Sequence, residues 1–105
     1  MSTTVTLWAS TLESLEVQIS TDADPTAAAP QFALSTAGAT SPGTFQAGTW
    51  STTWDATTQR TTARTPNIGS GGTLTVASGT SYLLWAKVTL GGEIAVWPVG
   101  SIRVP

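Results

Sequence analysis

Apolar and polar residues alternate with a period of two in several short stretches of the chain, and no stretch sustains a helical period. The clearest case is Leu15 to Ser20. There Leu15, Val17 and Ile19 alternate with Glu16, Gln18 and Ser20, which predicts a strand with one face on a core and the other in water. Thr3 to Trp8 has Val5 and Leu7 alternating with Thr. Gln31 to Ser35 predicts a short strand with Phe32 and Leu34 inward, and Phe45 to Trp54 a strand interrupted at Gly48. Thr57 to Arg64 is Thr-rich and weakly apolar, which predicts an edge strand, and Thr73 to Val76 predicts a short strand. Between these runs, Asp22 to Pro30, Thr36 to Gly43 and Asn67 to Gly72 carry turn chemistry. Ala27 to Ala29 would favour a helix locally, but the run is too short to offset nucleation and stays loop.

The last quarter of the chain is the most specific part of the pattern. Tyr82 to Leu90 and Glu93 to Val104 are two β-rich runs joined by Gly91-Gly92, a pair that favours a two-residue hairpin turn. That loop length sets the register: Leu90 faces Glu93, Val88 faces Ala95, Ala86 faces Trp97, and Leu84 faces Val99. One face of the hairpin then carries Tyr82, Leu84, Ala86, Val88, Trp97 and Val99. The other carries Leu83, Trp85, Lys87, Ile94 and Val96, and it is apolar too. Pro98 cannot donate to a ladder and predicts a bulge or an edge.

These runs, with turn signals every 8–12 residues, predict an all-β domain: a two-sheet antiparallel β-sandwich of about seven strands. At 105 residues the chain suits one domain, 1–105, with residues 1–10 as an extended N-terminal arm. Leu15, Val17, Ile19, Phe32, Leu34, Tyr82, Leu84, Val88 and Trp97 are its predicted core. The Gly-Thr-Ser turn before Tyr82 resembles the tyrosine corner of immunoglobulin-like sandwiches, which ties a ring hydroxyl to backbone upstream. It implies an immunoglobulin-like, fibronectin III-like fold.

Composition narrows the chemistry. The chain has no Cys and no His, so it lacks disulfides, thiol nucleophiles, the usual soft-metal ligands and a base that titrates near neutrality. Only 10% of residues are charged, a fifth are Thr, and the mean hydropathy is only slightly positive. A neutral, Thr-rich surface of this kind suits dense packing against neighbours, and equally a plain secreted β-domain with a neutral polar surface. The net charge is −2, and Arg60, Arg64, Lys87 and Arg103 are the basic residues, too few for a nucleic-acid patch. No apolar run approaches a membrane span, and Met1 to Leu7 lacks the basic and apolar regions of a signal peptide.

Several segments together resemble small structural proteins of tailed phages infecting actinobacteria. They are Asp24-Pro25-Thr26, Gln31-Phe32-Ala33-Leu34, Phe45 to Trp54, Thr80 to Val88, and Val99-Gly100-Ser101-Ile102-Arg103-Val104, covering roughly Leu15 to Val104. Two features depart from that pattern. The last hairpin turns on Gly91-Gly92 in place of an Asn-Pro-Glu turn, and two residues rather than one separate Gly79 from Tyr82. The resemblance implies an immunoglobulin-like virion protein: a capsid decoration or minor capsid protein, or alternatively a tail or head–tail connector protein. The implied partners are the major capsid protein or other virion subunits. A homo-oligomer on the phage head, made in the host cytoplasm, follows from the same resemblance.

The candidate sites are few. Asp22 and Asp24 could open a calcium loop, but no Gly and closing Glu follow at the required spacing, and turns before Pro25 explain them more simply. Glu13 and Glu16 are three apart, which on a strand puts them on opposite faces and argues against a catalytic pair. The many Ser and Thr residues have no His to activate them. No cofactor, metal or catalysis is expected. The five Trp residues remain, since exposed rings serve both protein interfaces and sugar platforms. Trp8, Trp50, Trp54, Trp85, Lys87 and Val96 are therefore the partner-contact candidates, with Trp97 assigned to the core. The competing reading is a carbohydrate-binding module for a cell-surface glycan, built on Trp50, Trp54 or Trp85.

Overall fold

The computed structural model describes residues 3–105 and contains ten strands and, among these residues, no helix. They are β1 (Thr3–Thr6), β2 (Glu16–Ser20), β3 (Gln31–Thr36), β4 (Gln46–Ala47), β5 (Thr49–Trp50), β6 (Arg60–Arg64), β7 (Ile68–Gly69), β8 (Leu74–Thr75), β9 (Thr80–Leu90) and β10 (Glu93–Val104). Four of the ten are two-residue pieces, which is why the count exceeds the expected seven. One sheet has the order β1-β10-β9-β3-β4, a second has β2-β6-β5, and β7 pairs with β8. Ile19 and Ala63 of the second sheet share one buried cluster with Phe32, Leu84, Ala86, Val88, Ile102 and Val104 of the first. The layers thus enclose a single core in a sandwich-like all-β arrangement.

The hairpin forms as its sequence predicts for most of its length. Leu90 pairs with Glu93, Val88 with Ala95 and Ala86 with Trp97 around Gly91, whose φ is 57°. The register then shifts between Pro98 and Gly100. Leu84 therefore faces Gly100 rather than Val99. The extra residue turns Ile102 and Val104 inward, and both are fully buried. Proline's missing donor accounts for the break in the ladder at this point. Upstream, the backbone N–H of Ala77 donates to the Tyr82 hydroxyl at 2.9 Å.

Two pairings depart from the antiparallel expectation. β1 runs parallel to β10, Thr3 opposite Gly100 and Thr6 opposite Arg103, and β7 runs parallel to β8. The part of the expected arm from Thr3 to Thr6 is thus an edge strand; Met1 and Ser2 lie outside the described residues.

Gly48 is where the chain changes sheets. β4 pairs with β3 in the first sheet and β5 with β6 in the second. The Gly48 N–H donates to the Pro30 carbonyl at 2.8 Å, and a Cβ there would run into the Arg64 carbonyl and lie 2.8 Å from the Phe32 ring. The strand expected over Phe45 to Trp54 is thus interrupted at Gly48, as the sequence predicts, and of it these two short pieces form.

Arg60–Arg64 is not the edge strand its weak apolarity predicts. It is the central strand of the second sheet, between β2 and β5. Its inward side chains, Thr61 and Ala63, are small and buried, so the strand fits between neighbours without large apolar residues. The preceding Thr57–Gln59 segment belongs to a turn in which Asp55 Oδ1 accepts from the Thr57 N–H at 2.8 Å and Gln59 has φ 57°. Ile68, in the expected loop 67–72, is a core residue.

Of the predicted core, Ile19, Phe32, Leu84 and Val88 are buried, whereas Leu15, Val17, Leu34, Tyr82 and Trp97 are half-buried and pack against it. Leu15, Val17 and Trp97 line an opening along one side of the sandwich, a cleft of about 610 Å³ between β2 and β10. Water therefore reaches side chains that a closed sandwich would bury.

Candidate functional site

The outer face of the first sheet gathers three of the candidate residues. Pairing puts Val96 opposite Lys87, Pro98 opposite Trp85 and Ile94 opposite Thr89, all on the side away from the core. Ile94 is 61% exposed and Val96 43%. Trp85 is half-buried, and its indole N–H donates to Ser35 Oγ at 2.8 Å across β9 and β3. The fully buried Ala33 is its cross-strand partner. Lys87 lies with Nζ 5.2 Å from the centroid of the Phe45 ring, so its charge rests on an aromatic face at the border of the patch. The result is an apolar strip of Ile94, Val96, Pro98 and Trp85 with a cation beside it. Ile94, Pro98 and Phe45 were not among the candidates; Ile94 was legible from the alternation, while Phe45 is brought in only by the tertiary fold.

Trp50 and Trp54 do not share a face of one strand, because β5 ends at Trp50. They line a separate depression of about 470 Å³ with Asp24, Thr26, Ser51, Thr52 and Thr53. The Trp50 indole N–H donates to the Ala28 carbonyl at 2.8 Å, which anchors the ring to the loop before β3. The Trp54 indole nitrogen is buried without a hydrogen-bond partner. Asp24 Oδ1 accepts from the Thr26 hydroxyl at 2.6 Å and from the Thr26 N–H at 2.9 Å. The hydroxyl bond first, and the backbone bond second, hold the Asp24 carboxyl below the ordinary aspartate range. This is the turn predicted before Pro25, and Pro25 itself is fully buried.

Trp8 stands apart. It is 62% exposed in the loop after β1, where its carbonyl accepts from the N–H and hydroxyl of Thr11. Trp97 is half-buried on the inner face and borders the cleft between β2 and β10. Among the described residues no three His, Cys, Asp or Glu side chains cluster as a metal site, and no helix is long and apolar enough to cross a membrane. Glu16 is engaged by Arg64 at 2.9 Å on the exposed face of the second sheet. No family model, curated protein or solved structure matches the chain.

Proposed function

We propose that the chain is a non-catalytic, immunoglobulin-like structural module that docks on other protein subunits through the outer face of β10 and β9. Two features support the fold assignment. In immunoglobulin sandwiches strands B, E and D share one sheet, and C, F and G the other. Here β2, β6 and β5 occupy the first set of places, and β3, β9 and β10 the second. The Ala77–Tyr82 hydrogen bond stands where a tyrosine corner would be.

The observation that carries the docking reading is the exposure of Ile94 and Val96 beside Trp85 and Pro98. Antiparallel sheets that face water usually turn polar residues outward, and a contiguous apolar strip favours contact with a protein surface. The resemblance to phage structural proteins supplies the setting: a decoration or minor capsid protein, assembled onto the major capsid protein of the head. Cosedimentation of the purified chain with assembled shells of the major capsid protein of a tailed actinobacterial phage tests the proposal. The chain should pellet with the shells, and the Ile94→Ser/Val96→Ser double variant should stay in the supernatant while folding normally. A wild-type chain that ignores the shells overturns the capsid reading.

The depression around Trp50 and Trp54 favours a second reading, a carbohydrate-binding module. Two indoles with a carboxylate and several hydroxyls are the groups that stack on and hydrogen-bond a sugar. Binding to a glycan array that is lost in Trp54→Ala would support it over docking on a shell.

A further inference from the structure

β2 carries an open hydrogen-bonding edge. Thr65 N–H donates to the Leu15 carbonyl at 2.9 Å, and Thr21 N–H to the Gln59 carbonyl at 3.0 Å. Main-chain groups alternate sides along a strand, so Leu15, Val17, Ile19 and Thr21 direct theirs toward β6. Glu16, Gln18 and Ser20 direct theirs away, and no described residue takes them up. Edges are usually blunted by extreme shortness, charged side chains and Lys above all, Pro or a bulge, and the one charge on β2, Glu16, is engaged by Arg64 of β6. β4 and β5, the edges at the other ends of the two sheets, have two residues each. β2 keeps five residues in unbroken register with β6 and has no Lys, Pro or bulge. Because β1 pairs with β10 in the other sheet, the first strand of the fold leaves this edge uncovered. The cleft beside it exposes Leu15, Val17, Trp97 and Val99 and reaches the core at Leu84 and Ile102.

We propose that this edge pairs with the same edge of a second copy of the chain, antiparallel about a two-fold axis at Gln18. In that register Gln18 faces Gln18 of the second copy, Glu16 faces Ser20, and Val17 faces Ile19. Every outward N–H and C=O of Glu16, Gln18 and Ser20 then has a partner, whereas a shift by two residues strands some of them. Charge selects the same register. Glu16 meets a hydroxyl instead of another carboxylate. Ser20 lies beside Arg60 on β6, and Arg60 has no ion pair among the described residues. Arg60 of the second copy would sit two strands, about 10 Å, from Glu16 on the same face, within reach of two long side chains. The added strand also takes water off Leu15 and Val17. The result is a continuous sheet through both copies, on a surface distinct from the Ile94–Val96 strip.

The test is the oligomeric state of the purified full chain, measured by sedimentation equilibrium. The wild type should be a dimer. Gln18→Lys sets two ammonium groups against each other at the axis and should move the dissociation midpoint to at least about tenfold higher concentration. Its side chain is exposed, so near-UV circular dichroism should stay that of the wild type. The chain has no native Cys, and Gln18→Cys places two thiols on α-carbons about 5.5 Å apart in the paired register, within disulfide range. It should cross-link under mild oxidation, whereas Thr62→Cys, one strand away on β6, should not. A wild type that is monomeric at high concentration overturns the proposal. So does a dimer unaffected by Gln18→Lys, cross-linking that is equal at the control position, or a strand of another protein on β2 in place of the second copy.

Discussion

The Tyr82 hydroxyl accepts the backbone N–H of Ala77 at 2.9 Å, five residues upstream, and so fixes how the chain enters its longest hairpin. The ring packs against the core while its oxygen holds the turn that contains Gly79, whose φ is 78°. Tyr82→Phe keeps the packing and removes only the acceptor. It should cost about 1 kcal/mol of stability in urea denaturation, with an unchanged m-value. An unaltered midpoint would show that the bond contributes nothing net.

Gly48→Ala should be more damaging than its chemistry suggests. The new methyl would meet the Arg64 carbonyl and the Phe32 ring, and neither can move without opening a sheet or the core. A loss of about 1–3 kcal/mol is expected, measured by thermal melting. Gly92→Ala, where nothing lies within 4 Å, is the control and should behave like the wild type.

Gln59→Gly should stabilise the protein. Gln59 holds a left-handed backbone, φ 57°, between β5 and β6. Glycine removes the Cβ penalty of that conformation but adds freedom to the unfolded chain. The balance should be a gain of about 0.5–1 kcal/mol in chemical denaturation.

Acid should act on the loop before β3. The folded Asp24 carboxyl is held below its ordinary value by the Thr26 hydroxyl and N–H. A depressed folded pKa means that its stabilisation is complete above the ordinary aspartate pKa and is lost as pH falls through the folded value. Thr26→Ala removes the hydroxyl bond and should return the Asp24 titration toward the ordinary range in carboxyl NMR. A titration curve identical to the wild type would refute the assignment. The effect on global stability should be small, because the group is fully exposed.

Local chemistry made the hairpin legible from sequence. Gly91-Gly92 fixes a loop length, the loop length fixes the pairs from Leu90–Glu93 to Ala86–Trp97, and alternation assigns the faces. One inserted residue at Val99 was enough to spoil that arithmetic, since Pro98 advertises a break without saying which residue is extra. Longer-range facts were not legible. Arg60–Arg64 looks like an edge because Thr61 and Ala63 are small. Its central place depends on Val17 and Trp50, its partners from distant segments. Ile68 sits between Asn67 and Gly69, in a stretch with turn chemistry and no period, yet it joins the core. Among the candidate residues, the pattern placed Trp85, Lys87 and Val96 on one outer face correctly. It could not separate Trp50 from Trp54, because the chain leaves the sheet after Trp50.

The parallel pairing of β1 with β10 bears on how the molecule would respond to tension. Thr3 lies opposite Gly100 and Thr6 opposite Arg103. A load applied ahead of Thr3 and beyond Val104 therefore draws the two strands past each other along their length. Their cross-strand hydrogen bonds share that load at once, rather than opening one after another from an end. The same number of bonds at an unzipping junction would yield to a far weaker pull. A domain joined at this edge can therefore withstand strain along the chain that its overall folding free energy would not foretell.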